Sequence, residues 1–338
     1  MIVFKTLKFL YQKKRLLTKS EVLSYLKIRR KVMPLPYYAQ IEPTTYCNFD
    51  CIICVRKTFN PSILNRHLTL AEFKIILNQI PSLKYIKLQG IGEPFLNPDL
   101  GEILKFGKQR KIIFKTISNG SVLKTNKHLI QYFDYLTISF DSANKDNFEK
   151  IRRGSNFDVI LENIKEIVDY KIKNKLKTKI GINTVVTHLN YQEIPQIIKL
   201  ALSLRTDYIR FVEVKNCLTL IEQQFLKEQE FIKKSRRYIP KVREIIEEER
   251  RKIRGFSIGF LSSENRKSIC KWPFYMVYIT VDGFVTPCCI LPNPEVFNFG
   301  NIYQEDFKKI WNGEKYQKFR ESLIKNQPNF VCDHCPGA

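Results

Sequence analysis

The chain is short of acids and of histidine, and it has no long apolar run. Against 57 Lys and Arg stand 33 Asp and Glu in 338 residues, a formal charge of +24. The four histidines, His67, His128, His188 and His334, form no pair at ligand spacing, which argues against a histidine-based metal site. Lys or Arg interrupts every apolar stretch well short of bilayer length, so no spanning helix is expected. Met1 to Tyr11 holds Lys5 and Lys8 inside its apolar run and lacks a small-residue cleavage site, so no secretory signal is expected and the cytoplasm is the default. Hydrophobic residues at 44% and charged residues at 27% are ordinary for a soluble globular protein with room for one large α/β domain and a small second one.

The scarcity of acid leaves basic runs at Lys13-Lys14-Arg15, Arg29-Arg30-Lys31, Lys233-Lys234 with Arg236-Arg237, and Arg250-Arg251-Lys252. The plain account is a solvated, lysine-rich surface. The sharper accounts are an acidic substrate or partner, an anionic membrane surface, or RNA. No recognisable RNA-binding module accompanies these runs, which lie on expected helices all along the chain.

What the chain does have is nine cysteines in clusters: Cys47-x3-Cys51-x2-Cys54, Cys270, Cys288-Cys289 and Cys332-x2-Cys335, with Cys217 alone. Clusters of this kind in a chain of this size point to metal ligands and a reducing compartment rather than to a disulfide scaffold. The first group offers three thiolates and no fourth. A structural zinc site and an ordinary iron–sulfur cluster each want four ligands, so the trio suggests a cluster with one iron left open for a cofactor.

Short β-branched segments alternating with amphipathic helices begin at Tyr37 and signal a parallel α/β sheet. The first strand ends at Pro43. Thr69 with Glu72 forms a capping box whose helix Pro81 stops. Further strands are expected over Tyr85–Gln89, Ile112–Ile117, Leu136–Phe140, Lys179–Val186 and Tyr208–Val214. Asn97-Pro98 opens a helix, and Asn190 with Glu193 is expected to cap the helix between the last two strands. Helices are also expected over 2–17 and about 19–31, the first basic and amphipathic enough to touch a membrane peripherally. Thr219 with Glu222 caps a charged helical excursion that Pro240 divides. The expected units are an N-terminal basic helical segment (1–36), a core (37–216), a helical connector (217–262) and a C-terminal cysteine segment (263–338).

With these motifs the chain resembles the radical S-adenosylmethionine (radical SAM) enzymes. The resemblance implies a partial (β/α)6 barrel and a 4Fe-4S cluster on Cys47, Cys51 and Cys54, whose open iron chelates S-adenosylmethionine. Electron transfer into the sulfonium then gives a 5'-deoxyadenosyl radical that abstracts a substrate hydrogen. It further implies that Ile53 touches the adenine and that the Gly92-Glu93 turn meets the methionyl amino group. Asn119, Ser139 and Asp141 are implied on the ribose or carboxylate side, and a basic residue near the carboxylate. Arg152 is carried as the last, although sequence does not separate it from Arg153. Asn183 and Val185 are candidates to line the adenine pocket, and Glu213 is a candidate catalytic acid or base pointing into the barrel. Reduced ferredoxin or flavodoxin is the implied electron donor.

The C-terminal segment reads as two strands about an Asp282-Gly283 turn and resembles the SPASM/twitch extension, a small α+β unit with one auxiliary 4Fe-4S cluster. Cys270, Cys288, Cys332 and Cys335 are the implied ligands; Gly283-x4-Cys288 favours Cys288 over Cys289. Four thiolates fit zinc and iron–sulfur equally. The expected function is hydrogen abstraction from, and oxidation or modification of, a sugar, cyclitol or peptide, helped by the auxiliary cluster. The alternatives are a redox-neutral epimerase or rearrangement enzyme, or an RNA-modifying radical SAM protein.

Overall fold

The computed structural model describes residues 32–214, 226–262 and 272–325 and the single positions 270, 327 and 332. The expected helices before residue 32, the Thr219/Glu222 cap, Cys217 and Cys335 lie outside the described residues.

The core alternates strands and helices: β1 (Tyr38–Ile41), α1 (Leu70–Gln79), β2 (Tyr85–Leu88), α2 (Leu100–Gln109), β3 (Ile113–Ser118), β4 (Tyr135–Ser139), α3 (Lys145–Ile151), α4 (Phe157–Lys173), β5 (Lys179–Val186), α5 (Ile194–Ser203) and β6 (Tyr208–Glu213). There follow α6 (Leu226–Arg236), α7 (Ile239–Lys252), β7 (Ser257–Leu261), α8 (Trp272–Tyr275), β8 (Met276–Ile279), β9 (Val285–Thr286), α9 (Phe307–Asn312) and α10 (Glu314–Ile324). All strands join one sheet in the order β7-β6-β5-β4-β3-β2-β1-β8-β9. Pairing is parallel throughout except between β8 and β9. The ends do not pair with each other, so the barrel is partial and open.

Alternation decides which side chains meet the helices. Ile86, Leu88, Phe114, Leu136, Ile138, Ile180, Ile209 and Phe211 share that face and are buried at 0% exposure. Each contributes about 2 kcal/mol of apolar burial. Their neighbours Gln40, Lys87, Lys115, Thr137, Asn183 and Arg210 fall on the other, concave face. The Thr69/Glu72 capping box is present, with both reciprocal bonds formed. Pro240 stands in the first turn of α7, which separates it from α6.

Three expectations are corrected. Ser257–Leu261, read as the end of a helical connector, is a strand parallel to β6; five residues with a central glycine carry too little periodicity to announce it. Asn190 and Glu193 do not cap α5, which starts with Pro195 in its first turn and no side-chain cap. Glu193 instead accepts from Ser142 Oγ and the amides of Ala143 and Asn144. Asn190 donates to the carbonyls of Asp141 and Val185. The pair therefore ties the loop after β4 to the loop after β5. Third, the helix expected to open at Asn97-Pro98 begins at Leu100, because Asn97 spends its side chain on Asp99 N, Pro43 O and Leu68 O.

The C-terminal segment grows directly from the core sheet. β8 lies beside β1 in register from Tyr38–Met276 to Ile41–Ile279. Gly283, at φ +85°, turns the chain into β9 as the Asp-Gly pair predicts. Trp311 is fully buried and its indole donates to Pro34 O at 2.9 Å, clamping α9 to the chain just before β1.

Candidate active site and second cysteine site

The loop after β1 carries Cys47, Cys51 and Cys54, all partly buried. Its backbone is pinned to the turn after α3, by Asp50 N to Arg153 O at 2.8 Å and Ile52 N to Ile151 O at 3.0 Å. Ile53 is partly buried inside the loop. Burial pushes all three thiols up, Cys54 to about 11; Cys47 also feels Cys51, and Cys54 feels both Cys51 and Cys47. Among the described residues no three His, Cys, Asp or Glu side chains converge on one point as ligands of a single ion do.

Gly92 is required by the chain itself. A Cβ there would collide with the carbonyl oxygens of Thr44 and Tyr46, and Glu93 N bonds Tyr46 O at 2.8 Å. The Gly90–Glu93 turn is thus docked on the residues that lead into Cys47. The Glu93 carboxylate is buried and accepts from Ser118 Oγ at 2.8 Å, Asn119 N at 2.5 Å and Phe95 N at 3.2 Å. Burial lifts its pKa to about 7 against these bonds. It positions Asn119, whose amide nitrogen reaches Asn48 Oδ1 at 2.9 Å and lies 3.8 Å from Cys47 Sγ.

Asp141 is buried after β4, paired with Arg152 Nη2 at 2.8 Å and accepting from Val185 N at 2.7 Å. Burial raises the Asp141 carboxyl's pKa, and Arg152 opposes the rise. Burial alone would lower Arg152, but Asp141 and then Cys51 reverse this, so the guanidinium is held more firmly charged. Here the structure separates what sequence left joined. Arg152 is 8% exposed and feels Cys51 and Cys54, whereas Arg153 is largely exposed and only 3.8 Å from Asp50 on the surface. Arg152 Nε is buried with no partner. An orphan donor on a fixed cation beside the Cys51 and Cys54 thiols fits an anionic ligand, as a cluster or a cofactor carboxylate would be. Ser139 ends β4 on the concave face in register with Asn183.

Glu213 is not on that face. It shares the helix-facing side of β6 with Ile209 and Phe211, bonding Arg236 Nε at 2.9 Å and Ser262 Oγ at 3.1 Å. The expectation that it points into the barrel fails because Glu213 pairs with Val186 on the packed side of β5. The concave position on β6 belongs to Arg210, whose stem rests against Gly259. Sequence reasoning passed over it, although strict alternation from Ile209 and Phe211 would have found it.

Glu42 was missed as well. It directly follows β1, 3% exposed, and accepts from Ile91 N at 2.9 Å and Val281 N at 3.3 Å. Tyr278 Oη donates to it at 3.4 Å. Burial lifts its pKa to about 7. One carboxyl thus joins the turn beside Cys47 to the turn of the C-terminal hairpin. A Cβ on Gly90 would collide with Glu42, so that glycine is fixed by Glu42.

At the second site Cys270, Cys288, Cys289 and Cys332 are partly buried. Cys288 and Cys270 both act electrostatically on Tyr316, whereas Cys289 acts on Tyr38 of β1. Cys288 feels Cys270 as well as its neighbour Cys289, and both Cys288 and Cys289 act on Tyr278. The buried Tyr316 Oη, Arg320 Nη2 and Thr286 Oγ1 have no partner in this region. Orphan donors around thiols again fit a sulfur-rich anionic group.

Residues 41–201 match the radical SAM superfamily, and residues 270–336 match SPASM, an iron-sulfur cluster-binding domain. The chain is 25% identical over 335 residues to the tungsten-containing aldehyde ferredoxin oxidoreductase cofactor-modifying protein of Pyrococcus furiosus, covering 88% of this chain and 86% of that one. It is 27% identical over 314 residues to GTP 3',8-cyclase of Marinobacter nauticus, covering 85% and 87%. Streptococcus suis SuiB bound to S-adenosylmethionine superposes with a TM-score of 0.70 at 16% identity, covering 93% of this chain and 78% of SuiB. Native anSMEcpe with bound AdoMet gives 0.64 at 14%, covering 89% and 88%. At these identities the structural likeness is one of fold. Among the described residues no helix is long and apolar enough to cross a membrane.

Proposed function

The chain belongs to the radical SAM superfamily and carries a C-terminal SPASM domain, and from this we propose that it oxidises a substrate bearing an anionic group, held on the concave face of the open barrel. When bound, the 4Fe-4S cluster and S-adenosylmethionine supply one-electron reduction and a hydrogen-abstracting agent. In this reading Cys47, Cys51 and Cys54 are the cluster ligands, while Ile53, Gly92, Asn119, Ser139 and Arg152 border the cofactor. Glu93 and Asp141 act through Asn119 and Arg152 by holding them in place. Cys270, Cys288, Cys332 and Cys335 ligate the second group.

The observation that carries the oxidative reading is structural continuity. β1 leads into the first cysteine loop, β8 pairs with β1 and turns into β9, which leads into Cys288, and Glu42 bonds both turns. Two redox sites held on adjacent strands suit a substrate that loses a hydrogen atom and then an electron, giving a product two electrons more oxidised. Arg210 on the concave face of β6, in register with Asn183, favours an anionic group on the substrate. That group is consistent with a phosphorylated sugar or cyclitol, or with an acidic peptide. The enzyme draws electrons from a reduced ferredoxin or flavodoxin and works in a reducing compartment such as the cytoplasm.

A redox-neutral reaction is the second reading, favoured by the 27% identity to a protein named GTP 3',8-cyclase. One experiment separates them. Anaerobically reconstituted protein is offered precursor peptides, sugar phosphates and nucleotides, and 5'-deoxyadenosine is counted against product mass. Oxidation gives a product two mass units lighter with one S-adenosylmethionine consumed, and Cys51→Ala abolishes it. A product isomeric with its substrate refutes the oxidative reading, and stoichiometric zinc without sulfide refutes both.

A further inference from the structure

α10 presents Tyr316 and Arg320, one helical turn apart, toward the segment that begins at Cys270. Arg320 is 4% exposed, and no ion pair joins it to a carboxylate among the described residues. Its Nε donates to Pro273 O at 2.6 Å and its Nη1 to Trp311 O at 2.7 Å. The guanidinium packs against two rings that touch each other, 4.3 Å from the Trp311 centroid and 4.2 Å from that of Tyr316, whose centroids are 4.7 Å apart. Tyr316 is itself fully buried and stacked on Phe299 at 3.7 Å. Such a cage fixes both side chains without using their last donors. Among the described residues nothing bonds Nη2 of Arg320 or Oη of Tyr316, both buried.

Burying a cation with no counter-ion, and two donors with no acceptor, among the described residues is costly unless a ligand completes the arrangement. Arg320 is bonded to Pro273 O, three residues after Cys270, Thr286 stands two residues before Cys288, and Tyr316 feels both Cys270 and Cys288, so the unmet donors lie beside the cysteine-bearing segments. Two features of the helix are therefore explained by one anion.

We propose that Tyr316 and Arg320 are the hydrogen-bond donors to the sulfurs of the iron–sulfur group held by Cys270, Cys288, Cys332 and Cys335, and that they set its reduction potential. This rests on the ligand reading given above. Reduction adds negative charge to the sulfurs. A donor and a fixed cation beside them stabilise the reduced state and raise the potential. Thr286 Oγ1, unpartnered two residues before Cys288, stands on the same side as a weaker third donor.

The test uses the full chain with Cys51→Ala, reconstituted anaerobically so that the C-terminal group alone gives the signal. Its reduction potential is read by electron paramagnetic resonance during a redox titration. Tyr316→Phe keeps the ring stack and removes only the hydroxyl. It lowers the equilibrium constant for one-electron reduction about tenfold, a shift of about 59 mV to more negative potential. Arg320→Gln, which also removes the charge, shifts it further, and Arg320→Lys recovers part of the difference. Resonance Raman spectra of the same samples report weakened donation to sulfur independently. Unmoved potential and unmoved Fe–S stretching in variants with full iron and sulfide content overturn this inference and leave the proposed function standing. Absence of any iron–sulfur signal from the Cys51→Ala chain overturns both.

Discussion

The buried pair Asp141–Arg152 can be broken from either side, and its environment sets the cost. The two side chains are 1% and 9% exposed and 2.8 Å apart, so little water is available to replace a lost partner. Arg152→Met leaves the Asp141 carboxylate with the amide of Val185 as its remaining donor among the described residues. Asp141→Asn leaves a buried guanidinium with Nε already unpartnered. Each single change is expected to cost about 3–5 kcal/mol, most of it the penalty of stranding the other charge. The double variant strands nothing, so it should cost less than the sum of the singles by about 2–3 kcal/mol. Urea unfolding of the metal-free chain at pH 7, followed by far-UV circular dichroism, measures all four corners of the cycle. Additivity within about 0.5 kcal/mol would show that the pair is not coupled as its geometry requires. Binding of S-adenosylmethionine to the reconstituted protein should fall for Arg152→Met and stay nearly unchanged for Arg153→Met.

Gly92→Ala places a Cβ against the carbonyls of Thr44 and Tyr46, backbone atoms that cannot move aside cheaply. Iron and sulfide content should drop to what the C-terminal site alone holds, and full content in this variant would contradict the docking described. Glu42 has a folded pKa of about 7 against 4.5 for the free group, so the folded chain retains a proton that the unfolded chain releases. Stability therefore falls as pH rises through this window, by about 3 kcal/mol. Glu93 adds a similar slope. Glu42→Gln should remove roughly half of the combined decline in urea midpoint between pH 5 and 8; an unchanged profile would clear Glu42. The Cys54 thiol, pushed up to about 11, must lose its proton to bind iron, so loading against a competing chelator should strengthen from pH 7 to pH 9.

Close spacing made part of this protein legible from sequence. Cys47, Cys51 and Cys54 sit in one loop and bind, or fail to bind, as a local unit, so their spacing carried the cofactor class. The Thr69/Glu72 capping box and the Asp282-Gly283 turn are likewise made by residues a few positions apart, and both were read correctly. Strands β1 to β6 followed from alternation, since a sheet covered by helices on one face leaves a period of two in the chain.

Tertiary structure decided what depended on partners far away in sequence. Arg152 and Arg153 are neighbours of the same chemistry, and the approach of Asp141 and the first cysteine loop is what makes one of them part of the site. Glu42 reads as an ordinary strand-end glutamate until β8 arrives beside β1 and brings it Tyr278 and Val281, 236 and 239 positions further along the chain. Glu193 looks like a cap and becomes a brace because the loop after β4 offers it more amide and hydroxyl donors than its own helix does. Local pattern fixes which groups are available for bonding. Long-range packing removes the water from some of them, and that loss of solvent is what sets Arg152 apart from Arg153 and leaves Glu42, Tyr316 and Arg320 buried with unusual bonding needs that the sequence did not announce.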